Sequence, residues 1–220
     1  MEALFKREEK LFLLVGSCFI ALLVVSNIIA VKVISIGGLI GPAAVICYGL
    51  TFLLTDTIAE IWGKERTRFL VLAGFCASIL AAFMIKMAIL FPPAPFWNNQ
   101  GEYNMILGSN LRIVAASMTA YLISQYHDIW AFHFWKVKTG GKHLWLRNNL
   151  STSTSQLLDT IVFIVIAFYG TGIPILPMIL GQYLMKLFIA FLDTPLVYML
   201  VYIIKKNVSE ANYEAPAVKA

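Results

Sequence analysis

Charge is what this chain has least of. Asp, Glu, Lys and Arg make up 13% of its 220 residues, 60% are hydrophobic, and the mean hydropathy is +0.78. Soluble domains carry about twice that share of charge, so a water-soluble globule is excluded and a polytopic membrane protein is indicated. Cysteine is scarce too. Cys18, Cys47 and Cys76 stand singly in three different apolar segments, with no CxxC pair, which excludes a disulfide framework and a thiol redox centre. His127 and His133 are six residues apart, a spacing that does not bring two imidazoles to one ion on a helix, and His143 lies in a basic loop. Zinc-type spacings are missing, so no metal site is expected, and no cofactor is implied. The P-loop, the nucleophile elbow and the HExxH motif are missing as well, which argues against an ATPase or a hydrolytic enzyme.

What the chain does have is long apolar runs. About 20 such residues cross the hydrocarbon core, and six segments qualify: 10–33, 42–62, 68–90, 110–135, 150–169 and 178–204. They leave no length for a second unit, so 1–220 reads as one all-α membrane domain of six transmembrane helices. Positive charge fixes its expected orientation. Lys6, Arg7 and Lys10 precede the first span, and Lys64, Arg66 and Arg68 follow the second. Lys136, Lys138, Lys142 and Arg147 lie between the fourth and fifth, and Lys205, Lys206 and Lys219 follow the sixth. The loops around Gly37-Gly38, at 92–109 and at 170–177 hold no Lys or Arg. Such asymmetry predicts that both termini are cytoplasmic, N-in/C-in. These loops account for the net charge of +5, so basicity is no sign of a nucleic-acid surface. The first segment ends in Asn27-Ile-Ile-Ala-Val-Lys32 without a small-x-small site, and is expected to remain as a span rather than be cleaved.

Polar groups inside the spans carry the functional signal, because each is costly in a bilayer unless it meets a partner or a ligand. In the fifth span Asn149, Thr152, Gln156, Asp159 and Phe163 recur at three and four residues, sharing one helical face. Tyr48, Phe52, Asp56 and Glu60 form a similar stripe in the second span, where Glu60 can pair with Lys64 at i+4. Tyr121, Gln125, Asp128, Phe132 and Trp135 form another in the fourth. In the sixth, Gln182, Lys186, Ile189 and Asp193 share a face, and Asp193-Thr-Pro195 predicts a break. Seven residues of helix rise about 10 Å, so Asp193 is too far along the axis to neutralise Lys186. By depth, Asp159 is the candidate partner, in a structural ion pair or on a solute path. Asn27 and Lys32 close the outer part of the first span, and Lys32, Lys86 and Arg112 are expected to reach the outer interface. The loop from Phe91 to Tyr103, with Trp97, reads as a lid or as part of an interfacial aromatic belt. Small residues Gly74, Ala77, Ser78 and Ala81 offer either a homodimer seam or a packing face within the chain.

Several blocks, in order, carry a resemblance. They are Leu54-Thr-Asp-Thr-Ile-Ala-Glu-Ile-Trp-Gly63, Pro95-Phe-Trp-Asn-Asn-Gln100, Ala120-Tyr-Leu-Ile-Ser-Gln-Tyr-His-Asp128 and Trp145-Leu-Arg-Asn-Asn-Leu-Ser-Thr-Ser-Thr-Ser-Gln-Leu-Leu-Asp-Thr160, followed by Lys186 and Asp193. The chain resembles the bacterial queuosine-precursor transporters, also called the vitamin uptake transporter family. Leu53 and Trp62 depart from a proline and a tyrosine found in many members. The resemblance implies a six-span inner-membrane importer of 7-deazaguanine bases, such as 7-cyano- or 7-aminomethyl-7-deazaguanine. It implies no enzyme activity, and an architecture resembling the membrane substrate-capture subunits of energy-coupling-factor transporters.

The polar spans suit such a solute. A guanine-like edge offers N–H donors beside a carbonyl, which carboxylates and amides can meet together. Asn27, Asp56, Gln125, Asp128, Asn149, Gln156, Asp159, Gln182, Lys186 and Asp193 supply polar groups, and Phe52, Trp97, Tyr121 and Trp145 supply faces for stacking. These are the candidate substrate-binding residues. Three classes of function remain at this level. The first is a self-sufficient secondary transporter, the second a capture subunit needing a separate ATPase, and the third an intramembrane enzyme.

Overall fold

The computed structural model describes residues 7–140 and 144–214, with side chains except at 7, 129, 132, 136, 144–149, 191, 193, 194 and 207–214. The candidate side chains of Trp145, Asn149 and Asp193 therefore lie outside the described residues.

Apolar runs become helices because a bilayer leaves backbone polar groups no partner but their own helix. The elements are α1 (Arg7–Ile29), β1 (Val33–Ile36), β2 (Leu39–Pro42), α2 (Val45–Trp62), α3 (Lys64–Leu90), α4 (Gln100–Leu107), α5 (Asn110–Lys138), α6 (Leu144–Phe168) and α7 (Ile175–Glu214). Five helical spans are each long and apolar enough to cross a membrane. A sixth arises when the two parts of α7 are taken together, bent by 45° between Ala190 and Pro195. Proline lacks the N–H that would continue the ladder and collides with the preceding turn, which accounts for the bend. The helix α2 runs through Leu53 without interruption.

One element departs from an all-helical reading. The first span stops at Ile29 and the second starts at Val45, and the chain between them forms an antiparallel hairpin, pairing Val33 with Pro42 and Ile36 with Leu39. Its two-residue turn is Gly37-Gly38, at φ 57° and 82°. Positive φ at both central residues is what a tight hairpin matched to strand twist requires. The β-branched Val33, Ile34 and Ile36 favour the extended chain.

The hairpin marks one end of the bundle, together with the C-termini of α1, α3 and α6 and the N-termini of α2, α5 and α7. The other end carries the basic loops. At the hairpin end, Ala30, Ile113, Ala116, Phe163, Ile164, Ala167 and Met178 form the larger apolar core, with Val31 and Val33 packed against it. Arg112 donates from Nε to the Ile166 carbonyl at 2.5 Å and from Nη2 to that of Tyr169 at 2.6 Å. Rather than only reaching the interface, it caps the last turn of α6, whose final carbonyls have no helical partner. Phe19, Ile58 and Leu70 form a second core joining α1, α2 and α3.

Two of the small residues of α3, Gly74 and Ser78, pack within the chain. A Cβ at Gly74 would fall 2.7 Å from Leu23 Cδ2, and Ser78, buried, accepts a bond from Asn27 Nδ2 at 3.2 Å. Glu60 pairs with Lys205 at 3.2 Å instead of with Lys64. Residue 60 ends its stripe at the surface, where the last described turns of α7 pass.

Candidate functional site

The polar faces of the spans meet around an internal cavity of about 360 Å³, within the range of small-molecule sites. Six helices contribute to it. From α2 come Tyr48, Thr51, Phe52, Thr55 and Asp56, spaced so that one face turns inward. Ser117, Ala120, Tyr121, Ser124 and Gln125 come from α5, Gln156, Asp159 and Phe163 from α6, and Gln182 and Lys186 from α7. Asn27, with Phe19, Leu23 and Ser26, represents α1, and Thr67, Val71 and Phe75 represent α3.

A linked set of polar groups sits at mid-depth. Lys186 Nζ lies 2.6 Å from Asp159 Oδ2, with the Lys186 side chain 3% exposed and that of Asp159 20%. The ammonium also stands 4.3 Å from the centre of the Tyr48 ring, where the π-face attracts a cation. In turn the Tyr48 hydroxyl donates to Gln156 Oε1 at 2.5 Å. This chain satisfies a buried lysine three ways: a carboxylate, an aromatic face, and an amide that fixes the aromatic. A lysine buried so deep within a span is costly without such company. Gln182, one turn before Lys186, is 6% exposed, and its Oε1 has no hydrogen-bond partner among the described residues.

Hydroxyls in the walls are tied to their own helices. Ser26, Thr51, Thr55, Thr67 and Ser124 donate to carbonyls three or four residues earlier, which lets them sit in a membrane helix at little cost. Aromatic faces frame the space. Tyr48 and Phe52 rings lie 4.3 Å apart, and Phe75 meets Tyr121 edge-on at 5.0 Å. Burial is graded along the axis: Asn27, Gln182 and Lys186 are buried toward the hairpin end, whereas Asp56 and Gln125 are exposed toward the basic end.

The cavity thus gathers Asn27, Phe52, Asp56, Tyr121, Gln125, Gln156, Asp159, Gln182 and Lys186 from the candidate positions. Asn27 has a second task, since its carbonyl accepts from Asn110 Nδ2 at 3.1 Å and so ties α1 to α5. Two described candidates lie elsewhere. Trp97 lines a separate pocket with Pro92, Pro93 and Tyr103 beside the start of α4. Asp128 Oδ1 accepts a bond from Ser155 at 3.3 Å, and the same hydroxyl lies 3.0 Å from His127 Nδ1, in the seam between α5 and α6. Thr152, placed on the polar face by spacing, is exposed.

Other wall residues were missed as site candidates. Tyr48 belongs to the α2 stripe, so its spacing alone marks it. The face of α1 shows as Phe19, Leu23, Ser26, Asn27 and Ala30 at four-, three-, one- and three-residue steps, hidden among apolar residues on every side. Thr67, Val71 and Phe75 on α3 recur every four residues, and Thr67 is their single polar member. Among the described residues no cluster of His, Cys, Asp or Glu is suited to a metal.

Comparison with known proteins agrees with this architecture. Residues 42–200 match the family described as "Putative vitamin uptake transporter". A Bacillus subtilis (strain 168) protein named "Probable queuosine precursor transporter" is 30% identical over 80% of this chain and 78% of its own length. A Haemophilus influenzae protein of the same name is 28% identical over 64% of this chain and 60% of its own. The "Queuosine precursor transporter" of Escherichia coli (strain K12) is 26% identical over 66% and 62%. No solved structure matches. These relatives are named as transporters rather than enzymes, and the helices described above are those of a multi-pass membrane protein. The chain belongs to the vitamin uptake transporter family, in which it is kin to the queuosine precursor transporters.

Proposed function

We propose that this protein imports 7-deazaguanine precursors of queuosine, such as the 7-cyano and 7-aminomethyl bases, across the cytoplasmic (inner) membrane. The observation that carries the reading is the mid-depth cavity, where amides and carboxylates lie between aromatic faces. A flat base can stack on Phe52, Tyr121 or Phe163 and present its polar edge to Gln156, Asp159 and Gln182. The names of the relatives point to the same solute class. With the basic loops in the cytoplasm, the graded burial supports reading the cavity as closed toward the outside and accessible from within, one half of an alternating-access cycle.

The same reading makes the chain a secondary transporter working without an ATPase. Purified protein in liposomes should accumulate or equilibrate labelled 7-cyano-7-deazaguanine unaided, and supply of this chain alone should restore queuosine in cells unable to make the base. Uptake that appears only after an ATPase module is co-reconstituted would make it a capture subunit. Absence of uptake under both conditions would remove deazaguanines as its solutes.

A further inference from the structure

Gln182 is the least explained polar group in the cavity wall. It is buried on a rigid support: a Cβ at the preceding Gly181 would fall 2.9 Å from the Ile40 carbonyl carbon, and one at Gly41 would touch Gln182 itself at 3.7 Å. The α7 backbone therefore lies directly against β2 at this point, which fixes where the Gln182 side chain leaves the helix. Its neighbours are already engaged. Lys186 holds Asp159 and faces Tyr48, while Tyr48 occupies the oxygen of Gln156. Gln182 lines the cavity, and its oxygen is left buried without a partner among the described residues. Native structures rarely leave an acceptor so, because burying it unpaired is unfavourable unless something else donates to it.

We infer that Gln182 Oε1 is the acceptor that reads a ring N–H of the solute, making this position the selector for lactam rings over rings that present a bare nitrogen there. Resting on the deazaguanine reading, the inference assigns one atom of that site. The edge it selects is –NH–C(=O)–, common to guanine-type rings. The amide nitrogen of Gln156, whose oxygen is taken by Tyr48, is the complementary donor for the adjacent carbonyl. A ring nitrogen without hydrogen would set lone pair against lone pair at Gln182. A site built around one such bond discriminates strongly against a ligand that cannot complete it.

The test is equilibrium binding to the full-length protein in nanodiscs, with 7-cyano-7-deazaguanine, guanine and 2-aminopurine as probes. Wild type should favour the two lactams. Gln182→Met should weaken both by about 10- to 100-fold and leave 2-aminopurine within about threefold, collapsing the discrimination. Gln182→Glu keeps an acceptor oxygen at the same place and should retain lactam binding within about tenfold. The ligand-free melting temperature of Gln182→Met should equal or exceed that of wild type, since an unpaired group is removed; a structural glutamine would lower it. Equal loss for all probes in Gln182→Met, no loss, or a Gln182→Glu as impaired as Gln182→Met overturns the inference. Binding of guanine with this pattern, but not of the deazaguanine, sinks the deazaguanine reading and leaves the selector standing. A wild type that binds no lactam overturns both.

Discussion

Asp159 and Lys186 pose the sharpest question at the scale of single residues. The pair is internally neutral and nearly dry on the lysine side, yet Asp159 keeps a fifth of its side chain accessible and lines the cavity. Removing one member of a buried pair leaves the other uncompensated, a loss of about 3–5 kcal/mol, whereas removing both is often close to neutral. Asp159→Asn and Lys186→Met singly should each lower the melting temperature, and the double variant should recover most of it. Loss of the ammonium over the Tyr48 ring keeps that recovery incomplete. Solute binding separates the two roles. If Asp159 touches the base, the double variant folds but binds at least tenfold more weakly than wild type, a coupling that a cycle of both singles and the double measures. Full recovery of binding would reduce the pair to a structural brace. Depth along two helices was enough to match these residues from sequence. The Tyr48–Gln156 link that completes their setting was not legible, because it depends on how α2 and α6 are rotated toward each other.

Among the elements, the hairpin of β1 and β2 has the least expected position and a clear physical reason for it. Non-helical backbone is tolerated at membrane depth only where protein surrounds it or a cavity adjoins it. Here β2 lies along α7, and the closest approach is made possible by the missing side chain of Gly181. Span length leaves 34–41 as a loop around Gly37-Gly38, but hydropathy does not announce paired strands there, since Val33, Ile34, Ile36, Leu39 and Ile40 are as apolar as the helices. Because β2 abuts Gln182, a residue of the cavity wall, we expect the hairpin to close that end of the cavity. Gly181→Ala should force strand and helix apart. The expected outcome is a destabilisation of about 1–3 kcal/mol, as for other overpacked sites, with faster thiol labelling of a cysteine placed at Ser26 in the cavity wall. Unchanged stability and labelling would show that the hairpin is not a tight seal. Gly37→Ala, at a positive-φ turn with open space around it, should destabilise through backbone strain alone and leave labelling at Ser26 unchanged.

At the scale of the whole molecule, a helical chain with five to six helices apolar and long enough to span was readable because hydrophobic length is a property of the chain itself. The cavity was readable in part. Stripes on α2, α5, α6 and α7 announced themselves by polar residues at helical spacing, whereas the walls from α1 and α3 are mostly apolar and look like any lipid-facing surface. Short-range order also failed to place Trp97 and Asp128, whose surroundings are set by the α4 loop and by the α5–α6 seam. Orientation remains the largest property read from charge alone, and the direction of transport depends on it. In a background with Cys18, Cys47 and Cys76 replaced, a cysteine at Asn99 should react with an impermeant thiol reagent added to intact cells. One at Thr139 should react only after the membrane is opened. A cysteine at Gln125, exposed at the basic end of the cavity, should follow Thr139 and be protected by bound solute. The reverse pattern would invert the molecule and turn the accessible side of the cavity outward. Labelling of Gln125 that solute does not slow would instead separate the cavity's basic end from the binding region.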